Sequence, residues 1–254
     1  MLIITSPAKR QDFEKVWDNS FYSIPEFPDK SKALVAILEK YSVTKLQKLF
    51  GVSTKLAELN AERFRLWSQK HTVKNSKPAI LAYKGDIYRQ FDADGFDNKE
   101  REYAQRNLRI ITGLYGILNA YDLIQPYRLE MKIKLRSGKS KDLYSFWQNE
   151  ITGKLNSDLK KNNTNIIINL ASHEYADVVD RKKIQGKIVD VNFRQLRKGR
   201  LQNIGIIAKI SRGEVIDFMI QKQVKTISEL KKFNKNGYKL SEETDNSLTF
   251  TKKG

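Results

Sequence analysis

Residues 142–175, DLYSFWQNEITGKLNSDLKKNNTNIIINLASHEY, hold the fold argument in one stretch. The first part places Leu143, Phe146, Trp147, Ile151 and Leu155 on one stripe at helical spacing and predicts a helix over 142–160. Next comes IIINL at 166–170, a short apolar run bounded by polar residues, as a strand reads. It runs straight into Ala171-Ser172-His173-Glu174, a polar segment at a strand end. Helix, strand and polar loop in succession favour a mixed α/β or α+β architecture over an all-helical one.

The same grammar extends outward. LIIT at 2–5, AILAY at 79–83, KIVDVNFR at 187–194 and NIGIIA at 203–208 read as further strands. The last two are expected to form a hairpin, with Gly199 of RKGR at 197–200 in the turn, and YKL at 238–240 pairs with SLTF at 247–250. Capping-box spacings start helices near 98 (Asp97 with Glu100), 212 (Ser211 with Glu214) and 227 (Thr226 with Glu229). Other helices are expected near 31–41, 43–50 and 54–68. Prolines and glycines are scattered singly, with no internal repeat or linker. The expectation is one domain over 1–254, a mixed sheet flanked by helices.

The chain has 254 residues with 47 Lys and Arg against 29 Asp and Glu, a net charge of +18. Residues 1–130 carry +5 and residues 131–254 carry +13, so the second half supplies most of the field. Such a surplus opposes compaction and points to an anionic partner; a solvated lysine-rich surface is the plainer alternative. With no cysteine there is no disulfide, thiolate nucleophile, zinc ribbon or iron–sulfur ligation. Two histidines are too few for a typical transition-metal cage; a carboxylate-held Mg²⁺ and a carboxylate-only iron site stay open, and no metal and no cofactor is predicted. No apolar run approaches the ~20 residues of a membrane span. The expected protein is a cytoplasmic monomer with no membrane contact.

The segment SVTKLQKLFGVSTKLAELNAERFRLW, residues 42–67, holds two helical patterns broken at Gly51-Val52-Ser53. This spacing resembles a helix-hairpin-helix at about 42–68, in which amides at the second helix's N-terminus approach a phosphate. Lys45, Lys48, Lys55 and Arg63 would flank it. Ser53 stands where that motif has a second glycine, and an ordinary αα-hairpin with solvated lysines is the competing reading.

Four apolar runs end in polar segments: Ser6-Pro7-Ala8-Lys9, Lys84-Gly85-Asp86, Ala171-Ser172-His173-Glu174 and Lys209-Ile210-Ser211-Arg212-Gly213. If the runs are parallel neighbours, their ends share a rim where α/β sheets bind ligands. Lys9, Lys84, Lys209 and Arg212 then form a cationic cluster for a phosphate or carboxylate, with amides of Ser172 and Ser211 as donors. Ser6 with Lys9 also fits an S-x-x-K spacing, a weak signal, and no Walker loop or dinucleotide fingerprint is present. In GLYGILNAYDLIQPYRLEM, 113–131, Tyr127, Arg128 and Glu130 read first as a buried salt bridge and second as site residues. His173 is the better functional histidine, and His71, beyond a helix end, is expected to be exposed. Ser6, Asp86, Asn169, Ser172, Glu174 and Tyr175 are chemically diverse. They support an alternative in which a small anionic substrate, a nucleotide or modified base, is processed at the rim with Glu174 or Asp86 as general base.

Taken together, SPAK at 6–9, KGDIY at 84–88, TGLYGIL at 112–118, DLIQPYRLEM at 122–131, DLYSFW at 142–147, INLASHEY at 168–175, AKISRG at 208–213 and NKNGYKL at 234–240 resemble the YaaA family. The resemblance covers essentially the whole chain in order. It implies a bacterial cytoplasmic protein of the peroxide-stress response that protects DNA and limits free iron, binds DNA, and has an α/β fold with a helix-hairpin-helix and a basic cleft. By motif, the cleft residues are Lys9, Lys84, Arg128, Lys209 and Arg212. Ile210 stands where the family usually has another cation, and Asn119-Ala120 where Arg-Pro is common, so local charge is reduced. The resulting expectation is a protein that grips duplex or distorted DNA by its phosphates, without strong sequence preference, and for which no reaction is assigned.

Overall fold

The computed structural model describes residues 1–18, 20–197, 200–202 and 205–253. The chain opens with β1 (Leu2–Thr5) and β2 (Arg10–Gln11), then α1 (Pro28–Leu38), α2 (Val43–Phe50) and α3 (Thr54–Leu66). The short elements β3 (Lys77–Pro78), α4 (Ala79–Ala82) and β4 (Tyr83–Lys84) follow, and a 3₁₀ turn at Tyr88–Gln90. Next are α5 (Asn98–Asn107), β5 (Leu108–Thr112), β6 (Gly116–Asn119), β7 (Leu123–Ile124), α6 (Leu143–Lys161), β8 (Ile166–Asn169) and α7 (His173–Ala176). The last third holds β9 (Lys187–Arg197), β10 (Arg200–Gln202), α8 (Gly205–Gln221), α9 (Ile227–Leu230), β11 (Lys239–Thr244) and β12 (Ser247–Lys253).

The expected mixed α/β class is observed. LIIT is aliphatic on both faces, so β1 is stable only between two neighbours with helices covering the sheet. It lies between β5 and β8, parallel to both, with Ile3 opposite Leu108 and Ile168. The sheet order is β11-β12-β9-β8-β1-β5-β6, with β10 on β9. The run β12-β9-β8-β1-β5 is parallel; β6, β10 and β11 pair antiparallel. The carboxyl ends of β1, β8 and β5 therefore share one rim, from which Ser6, Ala171 and Gly113 emerge.

Asp97 with Glu100 and Thr226 with Glu229 form complete capping boxes as expected. Ser42 and Ser53 also cap α2 and α3. The predicted stripe of α6 is buried at Leu143, Trp147, Ile151 and Leu155, with Phe146 half-buried.

Five expectations are corrected. AILAY is not a strand: residues 79–82 make the single helical turn α4 after Pro78, and only Tyr83 and Lys84 are extended. Of NIGIIA, Gly205–Ala208 are not a strand but the first turn of α8, and Asn203 and Ile204 lie outside the described residues. Ser211 is consequently a buried mid-helix residue and no cap. The partner of β9 is β10, with Arg200 opposite Arg197, and the turn glycine Gly199 lies outside the described residues. His71 is buried, 7% exposed, against Trp67 and Tyr115. Among the described residues no helix is long and apolar enough to cross a membrane.

Candidate functional site

The expected rim of four parallel strand ends is only half present: the segments after β1 and β8 follow neighbouring parallel strands, whereas Lys84-Gly85-Asp86 leaves the β4 strand of an antiparallel pair and Lys209–Gly213 lies within α8. Ser6 follows β1, and its hydroxyl accepts the Ser172 N–H at 2.9 Å and donates to the Ser172 hydroxyl at 3.2 Å. Tyr88 donates to the Ser6 carbonyl at 2.8 Å. A Cβ on Gly85 would stand 3.1 Å from the Ala8 Cβ, so the loop of Lys84-Gly85-Asp86 lies on the loop of Ser6 to Lys9. A Cβ on Gly213 would meet the Ile87 carbonyl oxygen at 2.2 Å, which shows how closely α8 crosses the same segment. Arg212 is thereby carried to this region on a helix, and Lys209 lies exposed one turn earlier.

Several candidates in this region are held by structural work. The Ser172 amide is spent on Ser6, and the Ser211 amide belongs to the interior of α8, so neither is an anion donor. Asn169 donates to Asp190 at 2.7 Å and accepts the Ala171 N–H at 3.0 Å. Glu174 accepts the Lys132 N–H at 3.3 Å, and its carbonyl takes the Tyr144 hydroxyl at 2.9 Å. Tyr175 is buried, and burial, then Glu174, raise its phenol far above the usual range. Asp86 is half-buried, and His173 is exposed at the start of α7. The space bounded by Lys9, Tyr127, Arg128, Glu130 and Tyr175 is about 20 Å³, room for a single water rather than a nucleotide.

Charge is concentrated next to that space. The nearly buried Glu130 carboxylate receives Lys9 at 2.9 Å, Arg128 at 2.7 Å and Lys132 at 3.7 Å. The Arg128–Glu130 pair is the ion pair the sequence suggested. Three cations around one carboxylate leave a positive surplus. Arg128 Nε is buried without a hydrogen-bond partner among the described residues, as is Arg212 Nε. Burial, then the neighbouring Arg128, push Arg63 below its ordinary value, which places that α3 side chain beside the cluster. Arg212 is likewise lowered by burial.

A cavity of about 680 Å³ opens along α3. Arg10, Arg63, Lys84 and Arg89 line it, with Asp12, Glu14 and Glu62 at the same wall and Phe13, Leu59, Leu66 and Pro126 supplying apolar surface. Arg10 and Lys84 are brought together because they are register partners in the β2–β4 pair. Sequence reading missed Arg10 and Arg89. Arg10 directly follows the quoted Ser6 to Lys9 segment and Arg89 directly follows KGDIY, so extending each motif by one residue finds both.

α3 lines the cavity through Leu59, Glu62, Arg63 and Leu66, and α2 packs on α3 away from it. Gly51 ends α2 at φ +60, where a side chain is disfavoured, and its N–H bonds the Gln47 carbonyl. Ser53 restarts the chain by accepting the Leu56 N–H at 3.4 Å. Phe50 packs on Phe64 at 6.2 Å between ring centroids, over buried Leu46 and Ala57. Lys48 and Lys55 are exposed, and Lys45 lies 3.4 Å over the Tyr41 ring. Among the described residues no group of His, Cys, Asp and Glu has the arrangement to hold a metal ion.

Comparison with known proteins shows the family of the chain. A family model described as peroxide stress protein YaaA matches residues 1–244. The UPF0246 protein of Aliivibrio fischeri strain MJ11 is 41% identical over 252 residues, covering 98% of this chain and 97% of its own. The UPF0246 protein of Aliivibrio fischeri strain ATCC 700601 / ES114 matches with the same identity and coverage.

Proposed function

We propose, from the premise that this chain belongs to the peroxide stress protein YaaA family, that it binds DNA by its phosphates and shelters the backbone during peroxide stress. The observation that carries the reading is the cavity along α3 with Arg10, Arg63, Lys84 and Arg89 in its wall, adjoining the surplus charge around Glu130. The wall cations face one run of phosphates, and Lys9 and Arg128 extend that run past Glu130. Lys45, Lys48 and Lys55 add contacts from the helix pair, and Lys209 and Arg212 from α8. Contacts of this kind set position without reading bases, so little sequence preference is expected.

The driving force is release of condensed counterions. For Z phosphates neutralised on a duplex, log K falls against log salt with a slope of about −0.9Z. The small-substrate alternative draws less support at the rim beside Tyr175, where the space is only about 20 Å³. The test is fluorescence anisotropy of the full chain with a short duplex, a single strand and a mismatched bubble across a salt series. Binding with a steep salt slope that persists at physiological salt is expected. Binding that is equal for all three and gone at physiological salt rejects the reading.

A further inference from the structure

A file of aromatic side chains runs inward from the end of α3 and takes no part in the proposed DNA contacts. Trp67 terminates that helix and is half-buried. Its indole N–H donates to the Tyr115 hydroxyl at 3.1 Å, and the Gln125 backbone N–H donates to the same oxygen at 3.0 Å. Both phenolic lone pairs are thus occupied, and the hydroxyl's remaining hydrogen-bonding capacity is its own proton. His71 Nε2 stands 3.4 Å from that oxygen. The other ring nitrogen, Nδ1, is 3.0 Å from the Gln69 carbonyl. A carbonyl only accepts, so Nδ1 carries the ring proton and Nε2 presents a lone pair. Burial lowers His71 from its ordinary value and keeps the ring neutral. Tyr115, fully buried, therefore aims its proton at a base.

Deeper in the file the arrangement changes. The Tyr115 ring lies 5.3 Å from Tyr127, whose hydroxyl is 2.6 Å from that of Tyr83, and Tyr83 lies 5.3 Å from Tyr88. The Tyr127 and Tyr83 hydroxyls face each other rather than an imidazole. Removing an electron from a phenol in an apolar core is unfavourable unless its proton leaves at the same time. Within the file, only Tyr115 has a neutral ring nitrogen to receive it.

We propose that Tyr115 and His71 form a proton-coupled one-electron donor, reached from solvent through Trp67, which reduces peroxide-derived radical oxidants arriving at the α3 face. The radical takes one electron from Trp67 and is itself reduced, leaving an indole radical cation. Tyr115 returns one electron to Trp67 while its phenolic O–H bond breaks and the proton forms an N–H bond at His71 Nε2. The products are intact Trp67, a neutral tyrosyl radical and an imidazolium, so charge and electrons balance. A thiol or ascorbate supplies the electron that restores Tyr115, whose proton comes back from His71. This inference does not depend on DNA binding.

The test uses the full chain, photo-oxidised by a ruthenium(II) tris-bipyridyl complex with a cobalt(III) electron acceptor and freeze-trapped for electron paramagnetic resonance. The expected product is a neutral tyrosyl radical. Tyr115→Phe should replace it with an indole signal, and His71→Phe should lower the tyrosyl yield several-fold. If either variant fails to fold, the native Tyr115–His71 pair is examined instead with ¹⁵N-labelled histidine in a His173→Gln background. Electron–nuclear double resonance should then show coupling between the tyrosyl radical and the imidazole. An indole signal alone in the unmodified chain, a tyrosyl signal that persists in Tyr115→Phe, or no nitrogen coupling overturns the proposal.

Discussion

Two regions of the molecule surround a buried carboxylate with cations, and they use the charge differently. On one, Asp158 of α6 takes Arg109 of β5 at 2.7 Å and Lys154 at 2.9 Å, and Lys154 also takes Glu26 at 2.7 Å. Two cations meet two carboxylates, and the Arg109 and Asp158 side chains are 5% and 2% exposed. On the other, Glu130 alone meets Lys9, Arg128 and Lys132, with Arg63 beside them. The first network is neutral, closed in that its charges are matched, and it fastens a helix to the sheet at the wall of a cavity of about 470 Å³. The second is left positive, open in the same sense, and lies next to the α3 cavity through Gln11, which borders both spaces. Ion pairing and a neighbouring cavity by themselves thus say little about role; the local charge balance is what separates a fastener from a candidate ligand site.

The contrast breaks if the closed network is dispensable. Asp158→Asn leaves the Arg109 charge buried and short of its partner, and should cost about 3–5 kcal/mol in denaturant unfolding, with DNA affinity of the folded fraction unchanged. The double variant Arg63→Glu, Lys84→Glu should show the opposite pattern. Its stability should change by less than about 1 kcal/mol, while the salt slope of DNA binding falls by about 1.8 if two phosphate contacts are lost. Affinity in low salt should drop at least tenfold, read by anisotropy. Gly51→Ala sharpens the comparison on the open side. Nothing lies within 4 Å of the added Cβ, so only the φ of +60 is penalised, by about 1 kcal/mol, with a smaller loss of DNA affinity as the helix pair loosens.

The pH dependence of the closed network is the finest of these effects. Burial alone would raise the Asp158 carboxyl, but the Arg109 hydrogen bond and charge, and then Lys154, hold it below the usual range. A folded value below the unfolded one, near about 3.9, gives stability that is complete above the unfolded value. That stability is lost as pH falls through the folded one. An acid-unfolding series should therefore show a limb below about pH 4 that flattens in Asp158→Asn.

Where the sequence was legible, local chemistry was decisive. Asp97 with Glu100 and Thr226 with Glu229 mark helix starts by reciprocal hydrogen bonds that need no tertiary context, and α2 ends at Gly51 for a backbone reason. LRIIT, the strand beside β1, escaped notice because α5 passes into it at Asn107–Leu108 with neither glycine nor proline between. Buried throughout, it also lacks the alternation that betrays a half-exposed strand. NIGIIA misled for another reason: its described part, Gly205–Ala208, is apolar although Gly205 and Ile206 are exposed at the start of α8, so hydropathy there does not follow burial and shows no helical period. The site was legible as segments and not as a surface. Lys9, Lys84 and Arg128 stand out in their motifs, but Arg63 joins Lys84 only because α3 runs along the cavity that both line.

The position of β1 also sets a clock. Ile3 finds Leu108 and then Ile168, so the most apolar strand near the start of the chain has no sheet partner until more than a hundred further residues exist. At about 5–20 residues per second of synthesis that wait is on the order of 5–20 s. Throughout it LIIT is an unpaired aliphatic segment at the ribosome, and the non-local pairings that follow close slowly. The interval over which the nascent chain carries that exposed segment is therefore written into the order of its strands.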